Sequence, residues 1–152
     1  MPETKAQKAR AYFDRGYNCA QSVAAAFTEE MGLPEEAVLG LASAFGGGMA
    51  GMRQMCGAVS GMFLAMGQIR GHYSPEDPEA KKAHYAKLRD LAAKMEEQYG
   101  TLNCGELLSS HDIQPKPDPS LRDAEYYAKR PCARYVEACA RILEEELEAG
   151  ER

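Results

Sequence analysis

Between the turn-rich stretch Ser74-Pro75-Glu76-Asp77-Pro78 and Gly100, the residues Tyr85, Leu88, Leu91, Ala92 and Met95 return every three or four positions. That spacing sets them on one stripe of a helix over 79–99, stopped by a glycine suited to a C-cap. The same grammar runs through the rest of the chain. A short helix over 3–15 closes at Gly16. Asn18 is an N-cap for a helix that starts at Cys19 and ends near Met31-Gly32, and Leu33-Pro34-Glu35-Glu36 opens another, with proline and acids in its first turn. A helix from Cys56 to about Ile69 ends at Gly71, and a short one starts at Cys104. The last runs from Arg130-Pro131-Cys132 to about 149, with Val136, Cys139, Ala140, Leu143 and Leu147 as its buried face. The three prolines within 109–120 make that stretch loop. No β-alternation, hairpin dipeptide or internal repeat interrupts the pattern. The expected architecture is all-α, a single-domain bundle of six to seven helices over 1–152.

Composition narrows the function classes. A chain of 152 residues with 45% hydrophobic residues can bury a core without staples. Its net charge of −5 and lack of a basic stripe argue against nucleic acid. No apolar run approaches a membrane span, and the polar N-terminus lacks a signal-peptide core, so a cytoplasmic location is expected. In a reducing compartment five cysteines are metal ligands or redox thiols more readily than structural disulfides, and their odd number fits a disulfide framework poorly.

Four of those five fall at expected helix starts: Cys19 after Asn18, Cys56 after a glycine loop, Cys104 after Asn103 and Cys132 after Pro131. A helix start favours a thiolate by about 0.3–1 kcal/mol. If the four ends converge, they surround the sulfurs with partial positive charge, an arrangement suited to free thiolates or to metal ligation. The separations of 37, 48 and 28 residues contain no CxxC pair, so neither a zinc ribbon nor a thioredoxin-type motif is present. Cys139 shares a face with Cys132 but lies about 10 Å further along the axis, and is read as a core residue.

Around Cys56 the segment Gly46-Gly47-Gly48-Met49-Ala50-Gly51-Met52-Arg53-Gln54-Met55 leads into Cys56-Gly57-Ala58-Val59-Ser60-Gly61. Together with Asn18-Cys19-Ala20-Gln21-Ser22-Val23, Cys104 and Cys132, these residues resemble the redox-active C_GCAxxG_C_C family, over about 11–147. The resemblance implies redox activity or cofactor binding through Cys19, Cys56, Cys104 and Cys132, and leaves Cys139 outside the pattern.

Three functions compete. In the first, the thiols cycle between dithiol and disulfide, with Cys56 as the accessible attacking residue and Cys19 as its resolver. In the second, the same four sulfurs hold an iron–sulfur cluster or, less readily, zinc. In the third, the chain is a non-catalytic helical interaction protein, compatible with a homodimer. The first implies a redox partner protein or a small thiol. Gly46, Gly47, Gly48 and Gly57 are the candidate cofactor-contacting backbone, through close approach or an anion nest. Gly57 and Gly61 share a helix face, which equally suits helix packing. Met49, Met52, Met55, Met62 and Met66 near Cys56 raise copper, against the alternative of core filling. Arg53 is read as a surface residue, with lowering of a thiol pKa or holding a substrate anion as its functional alternative. His72, His84 and His111 stand apart from the cysteines, and 144–148 reads as a solvated, fraying helix end.

Overall fold

Side-chain caps set where most helices begin in the computed structural model, which describes residues 2–150; Met1 and 151–152, the ends of the expected domain, lie outside the described residues. Thr4 and Gln7 form a reciprocal capping box at the start of α1 (Lys5–Asp14), and Asn18 with Gln21 does the same for α2 (Cys19–Ala25). Then follow α3 (Thr28–Met31), α4 (Glu35–Ala42), a 3₁₀ turn over Ser43–Phe45, and α5 (Gly57–Arg70). Asp77 caps α6 (Pro78–Tyr99), whose first residue is proline, and Asn103 caps α7 (Cys104–Ser109). Asp123 caps α8 (Ala124–Lys129), and the chain ends in α9 (Cys132–Gly150). Each such cap contributes about 1 kcal/mol.

The fold is all-α among the described residues, with nine α-helices instead of six to seven, six of them at least seven residues long. The surplus has two origins. The helix expected over 19–31 breaks at Phe27, whose φ of −113° leaves the helical range while its ring is fully buried, separating α3 from α2. The other addition is α8, in a stretch with no helical periodicity to mark it. Pro131 then disfavours helical backbone at Arg130, which is extended at ψ 129°, so α8 stops and α9 starts afresh at Cys132.

The core is built on α5. Ala58, Val59, Met62, Ala65 and Met66 are buried, and α5 lies against α2 on one side and α9 on the other. The α2 contact is close because Gly61 has no side chain: a β-carbon there would run into the backbone of Ala20. α1 lies along α9, and the face expected on α9 is the buried one, from Val136 to Leu147. Cys139 is fully buried within it.

Two expected faces shift. On α6, Leu91, Ala92 and Met95 enter the core while Tyr85 is exposed and takes the Lys81 ammonium over its ring, because α6 touches the bundle mainly through its second half. On α9, Glu146 is not solvated: it is largely buried, paired with Lys87 at 3.1 Å and Arg70 at 3.6 Å. The buried Lys5 is likewise matched, at 2.7 Å from Glu30.

Candidate functional site

Cys19, Cys104 and Cys132 are the first residues of α2, α7 and α9, and Cys56 is the residue immediately before α5. All four line one cavity of about 340 Å³. Cys139, the fifth, is absent from its wall.

Backbone pairing brings in two of the four. Met55 and Asn103 form an antiparallel bridge, flanked by Cys56 N–H donating to the Leu102 carbonyl at 2.7 Å and Cys104 N–H to the Gln54 carbonyl at 2.6 Å. Side chains alternate across such a pairing. Cys56 and Cys104 therefore share the face opposite Met55 and Asn103.

The glycine loop is a scaffold for this pairing. Gly47, Gly48, Met49, Ala50 and Gly51 all have positive φ in succession, and Arg53 follows at 56°. For Met49 and Ala50 this conformation costs about 1–2 kcal/mol each. Hydrogen bonds within the loop hold it, including Arg53 N–H to the Gly47 carbonyl at 3.0 Å and Gln54 N–H to the Gly48 carbonyl at 2.9 Å. Gly46, Gly47 and Gly57 line the cavity. Gly48 instead backs onto the Cys104 β-carbon, and Gly57 packs against that of Cys19, so missing side chains are what let the cysteine-bearing backbones approach.

The thiols differ sharply in acidity, and burial decides most of it. Cys56 is 4% exposed. Its thiol is pushed up to about 12 by desolvation, against the pull of the Ala58 and Val59 N–H groups at the start of α5. A helix-start effect of about 0.3–1 kcal/mol does not offset removing a thiolate from water. The expectation of Cys56 as the accessible, thiolate-like residue is therefore corrected. Cys104 is half-buried, and burial also raises its thiol, opposed by Arg53, whose Nη1 donates to Cys104 Sγ at 3.5 Å. Arg53 is thus a wall of the site rather than surface, and its partner is Cys104 instead of the nearer-in-sequence Cys56.

Cys132 goes the other way. It shares the cavity wall with Cys19, Arg130, Arg122 and Arg53, and the neighbouring thiol and the three guanidiniums lower it to about 7 despite burial. The Cys19 thiol is raised by its neighbour Cys132 and by burial. The two sulfurs titrate as a pair, in which the arginines favour the negative charge on Cys132.

Sequence reasoning misses Arg122, Arg130 and Tyr126 entirely. Arg122 donates to the carbonyls of Phe13 at 3.2 Å and Tyr17 at 2.9 Å, and its guanidinium stacks over the Phe13 ring at 4.5 Å and the Tyr126 ring at 4.7 Å. Arg130 lies over the same Tyr126 ring at 5.0 Å and donates to Ser120 Oγ at 2.7 Å. The signal that could have found them is Asp123, a cap for the helix carrying Tyr126, with Glu125 in the first turn and Lys129 in the last.

Other candidates fall away from the cavity. Met62 and Met66 are core, Met49, Met52 and Met55 are exposed, and none lines the wall, so no thioether joins the thiols there. His72 pairs with the Gln68 carbonyl at 2.8 Å, His84 packs beside Tyr73, and His111 is exposed. Ligation of iron or zinc would need the sulfurs to close on a common centre. Among the described residues no three His, Cys, Asp or Glu side chains are gathered to hold a metal ion, so the donor set as arranged does not fit one.

A helical fold that brings four unpaired thiols to one arginine-walled cavity defines a multi-thiol protein. Residues 17–146 match the family described as "Putative redox-active protein (C_GCAxxG_C_C)", and the chain belongs to that family. The family's name writes Gly-Cys-Ala where this chain has Cys56-Gly57-Ala58. No curated protein and no solved structure matches the chain. Among the described residues no helix is long and apolar enough to cross a membrane.

Proposed function

We propose that the protein is a thiol–disulfide redox protein in which Cys132 attacks and Cys19 resolves. The observation that carries this reading is geometric: two helix-start sulfurs line one cavity together with three arginines, and these cations and the neighbouring thiol lower Cys132. The Cys132 thiolate attacks one sulfur of a disulfide, forming a mixed disulfide and expelling the other half as thiolate, which takes up a proton. The Cys19 thiol then loses its proton and attacks Cys132 Sγ. A Cys19–Cys132 disulfide forms and the second half of the substrate leaves as a thiol. Two electrons and the Cys19 proton pass from the protein to the substrate, and the second proton comes from solvent. Cys104 and Cys56 line the same cavity as a reserve pair, of which Cys104 is the more exposed.

The test is a thiol count with disulfide mapping on anaerobically purified protein. The expected result is a colourless protein that loses two thiols on mild oxidation, linked as Cys19–Cys132. Cys19→Ser should accumulate the mixed disulfide on Cys132, and Cys132→Ser should not react. Brown protein with stoichiometric iron, or thiols inert to alkylation in the native state, would overturn the reading in favour of a cluster or of a purely structural role.

A further inference from the structure

We infer that the cavity admits a small anionic disulfide, one carrying carboxylates, in preference to a neutral or cationic one. This rests on the redox reading above for its chemistry, but on a separate observation for its selectivity. Three guanidinium groups, Arg53, Arg122 and Arg130, line the cavity, and no carboxylate does. None of the three enters a salt bridge among the described residues, although six pairs form elsewhere. Asp118 lies between two wall prolines but is exposed and pairs with none of them. In a chain whose net charge is −5, this concentrates positive charge at one place against the overall sign.

The thiols do not consume that charge. Arginine stays protonated at any working pH. A single thiolate on Cys132 balances one guanidinium and leaves a surplus of about two positive charges facing the cavity. Hydrogen-bonding capacity remains as well. Arg130 uses one N–H, on Ser120, and Arg53 uses two, on the Lys116 carbonyl at 2.8 Å and on Cys104, out of five on each side chain. A guanidinium fork fits a carboxylate in two-point fashion. The cavity volume, about 340 Å³, is that of a small-molecule site, and Leu107, Leu108, Tyr126 and Tyr135 give it apolar walls for the methylenes of such a ligand.

The reaction is the balanced exchange already described, with the carboxylate-bearing disulfide as the oxidant. It is reduced to two acidic thiols as Cys19 and Cys132 become a disulfide.

Three disulfides of nearly equal length separate charge from reactivity: dithiodipropionate (dianion), hydroxyethyl disulfide (neutral) and cystamine (dication). With reduced protein at low ionic strength, the rates should fall in that order, with roughly tenfold between first and last. Arg130→Gln should bring the dianion-to-neutral rate ratio close to one. The ratio is the readout because any change in Cys132 acidity affects both substrates alike. Arg53→Gln, on a different element, should lower the ratio too, which guards against a fold defect in either variant. Equal rates for the three reagents, or unchanged ratios in both variants, would overturn the inference. Suberate, the all-carbon analogue of the dianion, reports on the cavity without chemistry. Calorimetric binding of suberate by a protein that reduces none of the disulfides would retain the anion site and discard the redox reading. Reduction of all three at one rate, with no suberate binding, would do the opposite.

Discussion

Cys19 and Cys132, the first residues of α2 and α9, line one cavity, and each shifts the acidity of the other. Both residues open helices, so helix position does not distinguish them. The arginines that lower Cys132 do. Arg130 and Arg122 reach Cys132 because Pro131 ends α8 one residue earlier and because the Tyr126 ring carries both guanidiniums. The acidity of one sulfur is thus set by a proline, an aromatic ring and a neighbouring thiol acting together.

Reactivity at Cys132 should titrate near neutrality. With its pKa lowered to about 7, the thiolate fraction and the alkylation rate rise through that pH and level off above about 8. At pH 5 the rate should be about a hundredth of the plateau. Cys19→Ala removes the largest cause of the lowering, so its midpoint should move upward. Peptide-resolved iodoacetamide labelling against pH checks both curves.

Cys104 depends on a different cation. Burial raises its thiol and Arg53 partly restrains that rise. Arg53→Gln removes the charge while keeping most of the side chain, so labelling of Cys104 at pH 8 should slow several-fold. Cys132 should shift less, since Arg53 ranks below Arg130 and Arg122 among the cations acting on it. A uniform loss at both cysteines would point to general loosening instead.

Helix periodicity and caps are legible in the sequence: Asn18, Asn103 and Gly100 each do what their residue type predicts. The four helix-start cysteines can be picked out for the same reason, since the signal is local. Their acidities cannot, because desolvation depends on what covers a thiol, and the cover over Cys56 comes from residues remote in sequence. Arg53 stands out as a cation near a cysteine, but proximity along the chain points it at the wrong sulfur. The Met55–Asn103 bridge sets this loop beside the start of α7. Arg122 and Arg130 go unmarked by periodicity because α8 is only six residues long, and its Asp123 cap is the one local sign of it.

Stability should pass through a maximum in the alkaline range. Cys132, lowered, holds its proton less tightly folded than unfolded, so it adds stability as pH rises from about 7 to the usual thiol range near 8.5. Cys19, Cys56, Cys104 and Cys139, all raised, keep protons that the unfolded chain releases, so above that range stability falls as pH rises. Cys139→Ala should cost about 1 kcal/mol at pH 7 for the lost sulfur. It should also flatten the decline between about pH 9 and 10.5 and leave Cys19–Cys132 disulfide formation unchanged. Thermal melts across this range, with thiol counts, decide it.

The position of Cys19 is set from behind, by α5. A methyl group at Gly61 would strike the Ala20 carbonyl and neighbouring backbone atoms, which cannot move aside as a flexible side chain could. Gly61→Ala should therefore cost about 1–3 kcal/mol. Gly40, exposed in α4 with nothing within 4 Å of where a methyl would sit, offers the opposite case: Gly40→Ala should gain about 0.5–1 kcal/mol through helix propensity alone. Because Ala20 adjoins Cys19, prying α2 from α5 should also pull Cys19 off Cys132. The Gly61 variant should then show a raised midpoint for Cys132 labelling as well as a lower melting temperature, and Gly40→Ala should leave that midpoint where it was. A destabilised Gly61 variant with an unshifted Cys132 midpoint would mean that the pair is held by the α8–α9 arginines and not by the α2–α5 crossing.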